Sequence, residues 1–185
     1  MALFGGVRYL SQQISDGSLD GHLALPRGTL FRVLCSRSQG NGWGDMVSGM
    51  CFVAASGHVS ASELPLLAAV FACAMTVYLS YCIVVGSLAF WIDLSSDFGK
   101  TLQDIIIIFS SYPENIFGGW SKLLVFTAIP AGIMTFVPVR ALDDFTLEAG
   151  LIAVGGCLAM LVLATSMYHF GLRRYASGNR FTGKM

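Results

Sequence analysis

From Leu64 to Ile92 the chain runs for 29 residues without a charge, closed by Glu63 on one side and Asp93 on the other. As a helix rising 1.5 Å per residue, this stretch reaches roughly 43 Å, more than the hydrocarbon core of a bilayer at about 30 Å requires. Hydrophobic residues make up 55% of the chain and charged residues 12%, whereas a soluble domain carries about a quarter charged. The chain therefore reads as an all-α, polytopic helical membrane protein, with about four transmembrane helices and short cytoplasmic interfacial helices.

Three further stretches complete the count. Ala149 to Leu172 is uncharged and ends at Arg173 and Arg174. Leu123 to Val139 is uncharged between Lys122 and Arg140, at the lower length limit of a span, with Trp120 placed as an interfacial anchor. Met46 to Ser62 is uncharged too, but Ser48, Ser56, Ser60 and His58 make its own insertion energy marginal, so it needs neighbouring helices. Spans are expected near 46–62, 64–92, 120–139 and 149–172. They are flanked by a cytoplasmic segment 1–45 and a cytoplasmic tail 173–185.

Four spans return both ends to one side, and the positive-inside rule selects that side as the cytoplasm. Arg8, Arg27, Arg32 and Arg37 then precede the first span, Lys100 and Lys122 lie in the inner loop, and Arg173, Arg174, Arg180 and Lys184 follow the last. Of the 11 basic residues only Arg140 falls outside. A three-span reading without Met46 to Ser62 would export the whole N-terminal set. Cys35, Cys51, Cys73, Cys82 and Cys157 form no CxxC pair and read as small apolar residues with reduced thiols. Met1 to Leu10 lacks the apolar core of a secretory signal, and a net charge of zero gives nucleic-acid binding no support.

Between the spans, Gly6 to Ile14 is a short amphipathic segment, broken by Asp16, Gly17, Asp20 and Gly21 ahead of Pro26. Gly28 to Ser36 predicts a second short helix with Leu30, Phe31 and Leu34 on one face. Asp93, Asp97, Lys100 and Asp104 recur at helical spacing ahead of the apolar run from Ile105 to Phe109. They predict an inner interfacial helix near 96–110 that stops at Tyr112 and Pro113.

Several pieces, in order, carry a resemblance. They are ISDGSLD from Ile14 to Asp20 with LALP from Leu23 to Pro26, Phe90 and Trp91 closing a long span, and Tyr112 with Pro113 after the polar segment. Ile129 and Pro130 with Pro138 in the next span follow, and the stretch from Gly171 and Leu172 to Tyr175 and Ser177 comes last. From about Gly6 to Phe181 the chain resembles the permease subunits of ABC-2 type exporters, in the bacterial family of daunorubicin- and viologen-exporter-like permeases. The resemblance implies a subunit of the bacterial cytoplasmic (inner) membrane that binds no cofactor itself. It implies pairing with a second permease copy or a paralogous permease, and docking on cytoplasmic ABC ATPase subunits that hold ATP and Mg. It further implies efflux of a drug-like or lipid substrate by alternating access. Family members have six spans with the DGSLD loop after the second, so the resemblance also implies two spans ahead of Met1, through a late start or a truncated product.

Residue by residue, the turn-rich segment of Asp16, Gly17, Leu19, Asp20, Leu23, Leu25, Pro26 and Arg27 is the candidate ATPase-coupling element. Its leucines suit a groove on a partner and equally suit the membrane surface or neighbouring inner helices. Tyr112, Pro113, Pro130 and Pro138 are candidates for the transport path or a hinge, because a proline in a span removes a backbone hydrogen bond and kinks it; a structural kink is the competing reading. Gly155 and Ala159 have the small-xxx-small spacing that lets helices approach closely.

Other patterns weigh the opposite way. Gly99, Lys100 and Thr101 echo a phosphate loop, but Leu94 stands where the required glycine belongs. His169 stands a turn from Arg173 and snorkels more readily than it relays protons. Asp93, Asp97 and Asp104 are spread over three turns around Lys100, which favours a solvated face over a metal site. No metal site and no catalytic residue is expected, and the chain reads as a transport subunit rather than an enzyme. An accessory or assembly membrane protein without transport activity is the alternative. A membrane-embedded enzyme would need a polar cluster within the spans.

Overall fold

A computed structural model describes residues 3–24, 28–57, 60, 62–92, 95–137, 139–140 and 147–175. The described residues are helical or irregular, without a strand. A 3-10 turn (Gly5–Tyr9) runs into α1 (Leu10–Ser15), and α2 (Asp20–Leu23) and α3 (Thr29–Cys35) complete a small N-terminal unit. Then come α4 (Gly40–Ser56) and α5 (Leu64–Ser87), the latter extended by a 3-10 turn (Leu88–Phe90). The chain continues through α6 (Ser96–Ser110), a 3-10 turn (Glu114–Ile116), α7 (Trp120–Phe126), a π-helical turn (Gly132–Phe136) and α8 (Leu147–Leu172).

Local chemistry sets the boundaries. Pro65 sits in the first turn of α5, where its missing N–H costs nothing. The Ser95 side chain accepts a hydrogen bond from the Phe98 N–H and caps α6, with Asp97 in its first turn. Gly57 closes α4 at φ +63°, a left-handed geometry that a side chain resists. That helix begins at Gly40, ahead of the uncharged stretch from Met46, and buries none of its residues.

Among the described residues, two helices are long and apolar enough to cross a membrane, Leu64–Phe90 and Gly150–Leu172. They lie side by side and parallel. The Cys157 thiol is placed beside Cys73 and Thr76, and Gly171 packs against Phe90 at the other end of the pair. A Cβ at Gly171 would stand 2.2 Å from Phe90 Cδ2, and one at Gly156 2.7 Å from Ile133 Cγ2, so these two glycines admit the close packing of α8. The outward face of α8, with Leu151, Ile152, Val154, Leu158 and Val162, is exposed. Such a continuous apolar surface suits lipid and not water.

Parallel neighbours require a return between them, and α6 supplies it. Expected along the inner membrane surface, Ser96–Ser110 instead runs back alongside α5. The Tyr81 hydroxyl donates to the Leu102 carbonyl at 2.9 Å, Gln103 Nε2 reaches the Cys82 carbonyl at 3.5 Å, and Ser110 meets Met134 beside the upper part of α8. Its apolar run from Ile105 to Phe109 provides the packing surface, with Ile106 completely buried.

The stretch expected as a continuous span near 120–139 is instead broken and doubled back. Helix α7 ends at Phe126, Pro130 is buried at the break, and the Phe126 ring lies where a Cβ on Gly132 would stand. Pro130 has no N–H to continue the ladder, so the helix stops rather than bends. Glu114 Oε1 holds Lys122 Nζ at 2.9 Å and Arg140 Nη2 at 2.6 Å. A straight helix would separate Lys122 and Arg140 by about 27 Å, beyond the reach of both side chains to one oxygen. The two cations therefore share one end of the bundle, which corrects the expectation that Lys122 lies inside and Arg140 outside. Pro138, Leu25, Pro26 and Arg27 lie outside the described residues.

Candidate coupling site

At the Phe90 end of the bundle, the N-terminal unit is built into the helices rather than laid against them. Val7 and Leu10 are completely buried, and a Cβ on Gly86 of α5 would stand 2.9 Å from Leu10 Cδ2. Gly6 passes directly beneath the Val33 carbonyl of α3. Arg8 forks onto Asp104 of α6, Nη1 to Oδ1 at 2.8 Å and Nη2 to Oδ2 at 3.0 Å. The neighbouring Gln103, fully buried, donates from Nε2 toward the carbonyls of both Val7 and Cys82, at 3.4 and 3.5 Å. Tyr9 lies between two cations, with Arg37 4.4 Å and Lys100 5.3 Å from its ring centroid.

The candidate coupling segment follows directly. Asp16 caps α1 through its N–H to the Gln12 carbonyl at 2.8 Å, and its side chain is exposed. Gly17 turns the chain at φ +74°, a conformation that glycine alone takes at no cost. Leu19 then folds back completely into the core, its N–H on the Gln13 carbonyl at 3.1 Å. Leu23, by contrast, is exposed. The two described leucines of the segment are thus divided, one anchoring and one presented. Leu23 stands one helical turn beyond Leu19, its N–H on the Leu19 carbonyl at 3.1 Å, so the division follows distance along the segment away from the core and not a difference in residue type.

Asp20 reaches the far end of α8. Burial first, and then the Asp20 carboxylate, pushes the Tyr175 hydroxyl up to about 12. Tyr175 belongs to an aromatic cluster that ties the ends of α5 and α8 together. Phe90 meets Trp91, Tyr168 and Tyr175 edge-on at centroid distances of 6.2, 6.0 and 6.1 Å, and Trp91 stacks on Phe170 at 6.1 Å. The segment is therefore anchored in the bundle by Leu19, with Asp20 near Tyr175 just beyond α8.

The remaining sequence-based candidates fall elsewhere. Tyr112 and Pro113 are exposed in the turn that leads from α6 to Glu114. Pro130 sits at the break of the doubled-back segment. A Cβ at Gly155 would meet nothing within 4 Å, and Ala159 is exposed, so their shared face is open in this chain, while Gly156 and Gly171 make the close contacts. Gly99, Lys100 and Thr101 lie within α6, where no phosphate loop exists. His169 Nδ1 donates to the Thr165 carbonyl at 2.7 Å on an exposed face. Among the described residues no group of His, Cys, Asp and Glu side chains is arranged to hold a metal ion.

Sequence reasoning did not bring Arg8, Gln103 and Asp104 together. The signal was present in Gln103 and Asp104, a polar pair directly ahead of Ile105 to Phe109. Charge spacing along α6 alone paired Asp104 with Lys100, and the partner 96 residues away was not visible.

Residues 1–178 match the family model described as ABC-2 family transporter protein. No curated protein and no solved structure matches the chain.

Proposed function

The chain belongs to the ABC-2 family transporter proteins, a membrane permease component of an ABC exporter rather than an enzyme, and from this premise we propose that it couples export to ATP hydrolysed on a cytoplasmic partner. In this reading the Phe90 end of the bundle faces the cytoplasm of a bacterial inner membrane, together with both termini. A second permease, identical or paralogous, completes the path. The cargo is a drug-like or lipid molecule, and alternating access follows closure of the ATPase pair. ATP and Mg reside on that partner.

The observation that carries the reading is the divided coupling segment. Leu19 is locked into the bundle, while Leu23 four residues later stands free beside the exposed Asp16, Ser18 and Gly21. An element made this way receives a push at its outer end and delivers it at its buried one. An interfacial helix that merely rests on lipid needs no buried anchor.

The test is co-purification of the ABC ATPase with the tagged chain, compared with L23D. The exposed site leaves folding intact, so L23D is expected to reach the membrane at normal yield and lose the ATPase at least tenfold. Retention of the ATPase by L23D would overturn the assignment of this segment. Absence of any ATPase from the unsubstituted chain would favour an accessory subunit without transport.

A further inference from the structure

A two-bond ion pair joins the N-terminal unit to α6, with the Arg8 and Asp104 side chains 20% and 43% exposed. Asp104 and Gln103 stand on α6 opposite Cys82, about 12 Å along α5 from its Phe90 end. Arg8 closes a two-bond fork on Asp104, a geometry that fixes direction as well as distance. Gln103 bridges Val7 to Cys82, so one side chain links the N-terminal unit, α6 and α5. A part-exposed ion pair adds little net stability, so stability alone does not account for the choice.

Position gives the reason. Arg8 lies in the same short unit as the coupling segment, joined to it by α1 and the Gly17 turn and fastened by the buried Leu10 and Leu19. Any displacement received at Leu23 travels along this unit and reaches α6 at Asp104. Resting on the ATP-driven reading above, we propose that Arg8, Asp104 and Gln103 form the joint that passes movement of the coupling segment to α6. They act as positioning residues, with no contact to cargo or nucleotide. Oriented bonds suit this task, because an apolar contact slides while a fork transmits rotation and translation together.

The experiment is hydrogen exchange on the full complex, the chain with its co-purified ABC ATPase in nanodiscs, with and without ATP and vanadate. In the unsubstituted complex, nucleotide trapping is expected to change exchange in peptides from Asp16–Ala24 and from Ser96–Ser110. In D104N the change at Asp16–Ala24 remains and the change at Ser96–Ser110 is lost. A merely structural pair would instead raise exchange in α6 equally with and without nucleotide, leaving the nucleotide-dependent difference intact, and that result overturns the joint. Should D104N fail to assemble, R8K keeps the charge and removes the fork. Its α6 response is expected to fall at least twofold, and an unaltered response overturns the proposal. If the unsubstituted complex shows no response at Asp16–Ala24, or no ATPase co-purifies, the ATP-driven reading fails and takes the joint with it. A response at Asp16–Ala24 that never reaches α6 defeats the joint alone.

Discussion

Glu114 shows how much one carboxylate can organise. A hydrogen bond from Lys122, set against slight burial, and then the Arg140 charge hold its carboxyl below the ordinary 4.5. A depressed acid contributes stability above its unfolded value and loses it as pH falls through the lowered one. The doubled-back segment is therefore expected to keep constant protection from neutral pH down to about 4.5 and to open in stronger acid, read from exchange protection factors between Trp120 and Arg140. E114Q removes the charge on which both cations converge. Both are largely exposed, so the cost is about 1 kcal/mol, seen as roughly fivefold faster exchange with no acid step. An acid step that survives in E114Q would place the titrating group elsewhere.

Between elements, the deciding contacts are made by residues without side chains. Gly171 and Gly156 let α8 close on Phe90 and Ile133, whereas Gly155, one residue from Gly156, faces outward. G171A must displace the buried Phe90 ring, shared by Trp91, Tyr168 and Tyr175, and is expected to destabilise by about 1–3 kcal/mol. G155A meets nothing and gains helix propensity, up to about 1 kcal/mol. Thermal unfolding of the purified chain in detergent checks the pair, with a clear fall for G171A and none for G155A. Equal effects would contradict the packing of α8 described here. The same scale explains the doubled-back segment. An uncharged stretch of sufficient length satisfies a hydropathy test whether or not its backbone is continuous, and Pro130 with Phe126 folded over Gly132 decides the matter.

Across the whole molecule, α6, and not the stretch near 120–139, runs back alongside α5. The proposed sidedness of the Phe90 end is compatible with this return, while Lys122 joins Arg140 and Glu114 at the other end. Impermeant maleimide on intact cells tests the proposed orientation. Cys35, exposed on α3 beside Arg32 and Arg37, is expected to react only after permeabilisation. A cysteine at the exposed Asn115 is expected to react without it. Modification of Cys35 in intact cells would reverse the orientation and remove the proposed docking surface.

The helical membrane class, the two long spans and the break at Gly17 were legible from residue order, because each depends on a run or a turn within one stretch of chain. A hydrophobic run reports its length to any reader, and the left-handed turn at Gly17 is written in a single residue. The burial of Leu19 against the exposure of Leu23 was not legible, since both are leucines and only the packing of α2 on the bundle separates them. Nor were the Arg8 to Asp104 fork and the convergence of Lys122 and Arg140 on Glu114, whose partners lie far apart in the chain. Charge pattern along one helix ranks near neighbours, but the partner a charge finally takes is set by which helices come together in space.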